Sequence, residues 1–158
     1  MIEFLQDFTA QVPVALQWVV VIALGMIPFI ESYSGSALGV VAGLPAWVAV
    51  PAAVAGNIVS MVFVVAVSAR LRARVHAGRG DGAAVSPRRA KLKERFDRYG
   101  VAGVALLGPL ALPSQVTAAA TVSFGAPRHT VVFWHVVAIV LWGIGFGTLA
   151  TLGVAVLG

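Results

Sequence analysis

Four apolar blocks run along the chain, separated by short polar or glycine-bearing punctuation. The first covers about Val14 to Ile30, the second Ala46 to Ala69, the third Val101 to Ala126 and the fourth Thr130 to Leu157. A helix needs roughly 20 apolar residues to cross a hydrocarbon core. Blocks two and four meet that length with few interruptions, so the pattern predicts two full spans. Pro51 falls in the first turns of block two, where a missing amide costs least. Blocks one and three are interrupted. Block one carries Gly25 and Pro28 and is followed by Glu31, Gly35, Gly39 and Gly43; block three carries Gly103, Gly108, Pro109, Pro113 and Gly125. Such breaks are tolerated at membrane depth only where the backbone is buried in protein or lines a wet cavity. These blocks are expected to be broken helices or re-entrant hairpins. Gly35 to Pro45 reads as a glycine-rich connector into block two, and Ser34-Gly35-Ser36 as a loop fragment.

The halves echo each other. Gly43-Leu44-Pro45 stands before block two, and Gly125-Ala126-Pro127 stands before block four, about half the chain later. Interrupted segments in corresponding positions point to an internal repeat with a site at its centre. The expected architecture is an all-α integral membrane protein of two inverted repeats, each a re-entrant or broken hairpin followed by a transmembrane helix. Residues 14–69 form repeat one, 70–100 a basic loop with an amphipathic helix, and 101–158 repeat two. All belong to a single membrane domain, 1–158.

Composition agrees with this class. Of the 158 residues, 59% are hydrophobic and 11% charged, against about 25% charged in ordinary soluble domains. Zero cysteines exclude disulfides, thiolate catalysis and Cys-ligated metals. The acidic start, MIEFLQDF, is unlike a cleaved leader.

Charge orders the topology. Ten of the 11 Lys and Arg lie between Arg70 and Arg98, and the last is Arg128. A basic loop between apolar segments reads as cytoplasmic, near anionic lipid, rather than as a nucleic-acid site. With both broken blocks as hairpins, all 11 cations fall on the cytoplasmic side and the halves are inverted. Four plain spans, with Arg128 alone outside, is the competing topology. Within the loop, Ser86 and Pro87 suit the start of a helix. Leu92, Phe96 and Tyr99 follow at helical spacing, with Arg88, Arg89, Lys91, Lys93 and Arg95 largely elsewhere around it. This is the pattern of a helix lying on a lipid surface or of a solvated connector carrying a topology signal. Residues 77–85 read as a flexible linker.

Glu31 is the acid that stands apart, alone between Asp7 and Asp81. At the tip of hairpin one it would be an intramembrane carboxylate, a type that marks substrate and proton paths; in the plain-span topology it is a rim carboxylate in water. Tyr33 and its serine neighbours can supply hydrogen bonds, and Gly35 is a supporting residue of the same tip. The matching tip in half two runs from Pro109 through Pro113, Ser114 and Gln115 to Thr117. Those polar groups either face Glu31 across a midplane site or satisfy broken-helix backbone. Asn57 would support the site or bond between helices. His135 would relay protons or sit as an interfacial histidine. No Gly-x-Ser-x-Gly elbow, His-Glu-x-x-His motif or Walker loop occurs, so enzymatic chemistry, a metal and a cofactor are not expected.

Pro28-Phe29-Ile30-Glu31, then Gly35, Gly39, Gly43 and Gly56-Asn57, resembles the first half of the bacterial small multidrug export proteins. Pro109 to Gly125 is similar to their proline-rich second half. That family is related to the DedA-like, or VTT, membrane proteins. The pattern departs at Ser34, where the family carries an arginine, and at Pro113-Ser114-Gln115-Val116, which replaces a more glycine-rich tip. The resemblance implies inverted re-entrant hairpins in a bacterial cell membrane and movement of lipids or other amphipathic substrates; Glu31, by its own charge and expected depth, would be the ionisable, proton-carrying group. Its partners would be membrane lipids, an amphipathic substrate and, for so small a chain, a second copy of itself. The competing expectation is a non-transporting scaffold that uses the basic loop to hold anionic lipid or partners.

Overall fold

The computed structural model describes residues 12–76 and 87–157, and every regular element among them is helical. In chain order these are α1 (Val14–Met26), α2 (Glu31–Val41), α3 (Ala46–His76), α4 (Pro87–Leu107), a 3-10 turn at Gly108–Leu110, α5 (Ser114–Ser123) and α6 (Arg128–Leu157). The expected linker at 77–85 and Ser86 lie outside the described residues. Among the described residues two helices are long and apolar enough to cross a membrane: α3 over Ala46–Leu71, with mean hydropathy 2.2, and α6 over Arg128–Val156, with mean hydropathy 2.0. They are the second and fourth apolar blocks.

Three of the remaining helices are short. α1 has 13 residues, α2 has 11 and α5 has 10. Block one therefore breaks at residues 27–30, and block three breaks between Leu107 and Ser114, where Pro109 and Pro113 sit.

One expectation is corrected. Gly35 to Val41 is helix α2, so Ser34-Gly35-Ser36 is no loop and the connector is only residues 42–45. The glycines serve packing. A Cβ at Gly39 would lie 2.8 Å from the Ala49 Cβ and 3.0 Å from Val21, and one at Gly35 would lie 3.1 Å from the Ala53 Cβ. Small residues one turn apart let helices approach closely enough to offset glycine's weak helical propensity. Pro51 also differs from expectation. It is the sixth residue of α3, past the amides that lack helical partners, so its ring does remove one backbone bond.

The Gly-x-Pro turns are built alike. Gly43 and Gly125 both have left-handed φ, 97° and 106°. Leu44 N–H donates to the Gly39 carbonyl and Ala126 N–H to the Thr121 carbonyl, each five residues back. This pairing, with glycine at the left-handed position, is the Schellman termination of a helix. Pro45 and Pro127 then start long helices of 31 and 30 residues.

The chain divides into two compact units. The first, residues up to Ser60 together with those from Ile139 on, holds α1, α2, the first half of α3 and the latter part of α6. Its centre is a tight crossing. A Cβ at Gly25 would lie 2.2 Å from the Ala53 carbonyl oxygen, and one at Gly56 would lie 2.0 Å from that of Ile22. Only glycine fits where backbone meets backbone so closely. Val21, Val40, Leu44, Ala49, Ala52 and Ala53 close around the crossing, and Ser60 Oγ donates to the terminal Met26 carbonyl of α1 at 3.0 Å.

The second unit, Met61–Ala138, holds the rest of α3, α4, the 3-10 turn, α5 and the start of α6. α4 bends at Gly100, whose φ of 66° and ψ of −167° break an otherwise helical run. Before the bend the helix is charged; after it, Val101 to Leu107 is apolar. Leu92 is buried, and the Phe96 ring packs on Phe124 with centroids 5.7 Å apart. Two of the three residues in the expected apolar stripe are therefore covered by the unit itself, and Tyr99 alone stays exposed.

Candidate functional site

In the first unit the polar residues gather on α2. Glu31 opens the helix directly after the 27–30 break and is 1% exposed. Its φ is 53°, and that of Phe29 is 73°. Left-handed backbone costs an ordinary L-residue roughly 1–2 kcal/mol, and such strain clusters at functional sites. Two strained residues flanking buried Ile30 turn the chain sharply and leave the Glu31 carboxyl inside the protein.

Ser32 and Ser36 follow on one face, four residues apart, and both are fully buried. Ser32 Oγ donates to the Ile139 carbonyl of α6 at 2.8 Å. Ser36 Oγ has no hydrogen-bond partner among the described residues. α6 makes room for both through Gly143, where a Cβ would lie 3.3 Å from the Ser32 Cβ and 3.5 Å from Ser36 Oγ. Tyr33 faces differently. Its hydroxyl donates to the Phe29 carbonyl at 2.9 Å, within the strained turn, and its ring packs against Trp142 and Phe146 at 6.4 and 5.5 Å. Asn57 is also buried in this unit, on α3 immediately after the close-packed Gly56.

In the second unit the polar residues gather on α5. Ser114, Gln115, Thr117 and Thr121 are all buried, as is His135 on α6. Thr117 Oγ1 lies 3.2 Å from His135 Nε2 and 3.1 Å from the Ser114 carbonyl. His135 Nδ1 lies 2.8 Å from the Val131 carbonyl. A carbonyl only accepts, so Nδ1 carries a proton. In the neutral ring Nε2 is then the acceptor, and the Thr117 hydroxyl donates to it. A second proton on the ring reverses that bond: Nε2 donates to Thr117, which turns its hydroxyl toward Ser114. The geometry holds either arrangement. Gly108, first residue of the 3-10 turn, lies directly over Thr117; a Cβ there would meet Thr117 Cγ2 at 3.1 Å. Thr121 Oγ1 closes the row by donating to the Thr117 carbonyl at 2.7 Å. Pro113 stands just before α5, its carbonyl accepting the Thr117 amide, and Pro109 lies in the 3-10 turn.

Glu31, Tyr33, Gly35 and Asn57 thus belong to the first unit, and Ser114, Gln115, Thr117 and His135 to the second. Ser36 and Thr121 are not among the site residues expected from the sequence, yet both are buried within these rows. Their signal is the spacing Ser32/Ser36 and Thr117/Thr121, each pair one helical turn apart.

The cations of α4 have distinct surroundings. Lys93 pairs with Asp97 one turn later, Nζ to Oδ2 at 2.7 Å, and stands 5.8 and 5.9 Å from the Phe96 and Phe124 ring centres. The Arg98 guanidinium lies over the Tyr99 ring at 5.1 Å. Lys91 and Arg95 are exposed; Arg88 and Arg89 lie in the first turn of α4. Among the described residues no group of three or more His, Cys, Asp or Glu could hold a metal. Comparison with protein families, with curated proteins and with solved structures yields no match.

Proposed function

We propose that the chain is a small integral-membrane transporter or lipid translocator for amphipathic substrates, with Glu31 as its ionisable site residue. The observation that carries this reading is the carboxyl of Glu31, fully buried, on left-handed backbone, at the break of a helical hairpin. A strained turn that buries an acid is hard to explain as scaffolding alone.

Membrane insertion is supported by the surfaces of the long helices. Only 39% of the most apolar window of α3 and 22% of that of α6 is buried. Trp47, Phe63, Phe133, Leu149 and Val156 point outward. A water-soluble protein rarely leaves so much apolar surface bare, whereas lipid covers it at no cost.

Hairpins are supported by length. At 1.5 Å per residue, α1 reaches about 20 Å and α5 about 15 Å, short of the roughly 30 Å hydrocarbon core. Neither crosses alone, which favours broken blocks that return to the side they entered from. A hairpin plus one span reverses sidedness, which makes the second half the inverse of the first. The paired Schellman turns favour that repeat. The expected location is a bacterial cell membrane with the 70–100 loop in the cytoplasm, in line with the resemblance to the small multidrug export and DedA-like proteins.

The test is reconstitution into liposomes with a fluorescent phospholipid analogue and, separately, a lipophilic cationic dye. Glu31→Gln should abolish pH-dependent movement of at least one probe while the protein stays folded by circular dichroism. Movement equal to wild type for both probes overturns Glu31 as the site residue.

A further inference from the structure

The bend at Gly100 creates a groove of about 320 Å³ on the second unit. Leu92, Val104, Leu107 and Leu110 supply apolar walls, and Arg95 and Tyr99 stand among them. The groove lies entirely within residues 92–111. Its one cation differs from its neighbours. Lys93 is held by Asp97 and Arg98 lies on the Tyr99 ring, whereas Arg95 has no ion-pair partner among the described residues. The order along the groove is also set. Arg95 stands on the charged arm of α4, before the bend; Leu107 and Leu110 stand beyond it, on the apolar side. Tyr99 lies at the changeover, the position tyrosines take at a membrane interface. Gly103 leaves room for the tyrosine there, since a Cβ at 103 would come within 2.3 Å of the Tyr99 Cβ.

A cation at one end and an apolar channel at the other form one amphiphile-shaped surface. We infer that this groove binds an anionic phospholipid of the surrounding bilayer, its phosphate on the Arg95 guanidinium and part of one acyl chain along Leu107 and Leu110. The guanidinium fork suits a phosphate oxygen pair. The channel between α3 and α6, lined by Trp47, Val50 and Ile144 with Thr148 and Thr151 as its polar residues, offers no charge and would not select an anionic head group. The inference rests on the membrane reading above, but not on Glu31 or on transport. It makes the basic segment a specific lipid site rather than a diffuse cationic surface.

The experiment uses the full-length protein in nanodiscs or mild detergent, with native mass spectrometry to count bound lipid as phosphatidylglycerol or phosphatidylcholine is titrated in. Wild-type protein should retain phosphatidylglycerol in preference to phosphatidylcholine. Arg95→Gln should weaken phosphatidylglycerol retention by about tenfold, and Lys91→Gln, an exposed cation outside the groove, should not. Leu110→Asn should weaken the long-chain lipid while leaving dihexanoyl phosphatidylglycerol unchanged; Leu110 is 69% exposed, so the variant keeps its fold. Equal losses in Arg95→Gln and Lys91→Gln would mean diffuse adsorption and overturn the site. Equal retention of long- and short-chain lipid, or displacement by inorganic phosphate alone, would overturn the acyl groove. Failure of the protein to fractionate with membranes would instead sink the membrane reading itself.

Discussion

Thr117 Oγ1 and His135 Nε2 stand 3.2 Å apart in a fully buried pair, bridging α5 and α6 across 18 residues of chain. With His135 Nδ1 directed at the Val131 carbonyl, the threonine hydroxyl is the one side-chain partner of Nε2 among the described residues. Thr117→Val keeps the shape and removes the hydroxyl. It should destabilise the folded protein by about 1–3 kcal/mol, the cost of an orphaned buried acceptor. Thr117→Ser should recover most of the loss. Thermal unfolding in detergent measures both.

The crossing of the first unit should be intolerant of a single methyl group. Gly25→Ala and Gly56→Ala each drive a Cβ into a backbone carbonyl that has no rotamer to escape through. Each should cost at least the roughly 1–3 kcal/mol of a typical overpacked site. Gly145→Ala is the contrast. A Cβ there meets nothing within 4 Å, and alanine is the better helix former by up to about 1 kcal/mol, so that variant should be neutral or more stable.

Gly100 is required by backbone conformation, not by space. A Cβ there meets nothing within 4 Å, but φ 66° with ψ −167° is a region open essentially to glycine alone. Gly100→Ala should lower stability by about 1–3 kcal/mol. It should also straighten α4, visible as a lengthened distance between spin labels at positions 91 and 106.

The hairpin topology makes a labelling prediction suited to a chain without cysteine. Single cysteines at positions 80 and 128 should react with an impermeant reagent from the cytoplasmic side, and one at position 3 from the outside. Position 31 should resist reagents excluded from lipid or react only through a cavity. Reaction of position 128 from outside would favour four plain spans.

The long helices and the two Gly-x-Pro turns were legible in the sequence because their causes are local. A span needs only length and apolarity, and a Schellman turn needs one glycine in the right place. The helix at Gly35–Val41 was not legible. Glycine and serine disfavour helix when considered alone, and the compensating contacts with Val21, Ala49 and Ala53 come from elsewhere in the chain. The candidate site divides the same way. Glu31 stands out by charge alone, whereas Ser36 and Thr121 gain meaning only from the helix faces that bury them. The stripe of Leu92, Phe96 and Tyr99 was visible as a helical face, but its cover, Phe124, is a tertiary fact.

The left-handed backbone at Glu31 sets a stability screen and an activity screen against each other. Glycine or asparagine would relax that turn, because both adopt positive φ more readily than glutamate. A variant library sorted only for resistance to heat should therefore drift toward glycine or asparagine at position 31. A library sorted for substrate movement should keep the acid and accept the lower melting temperature.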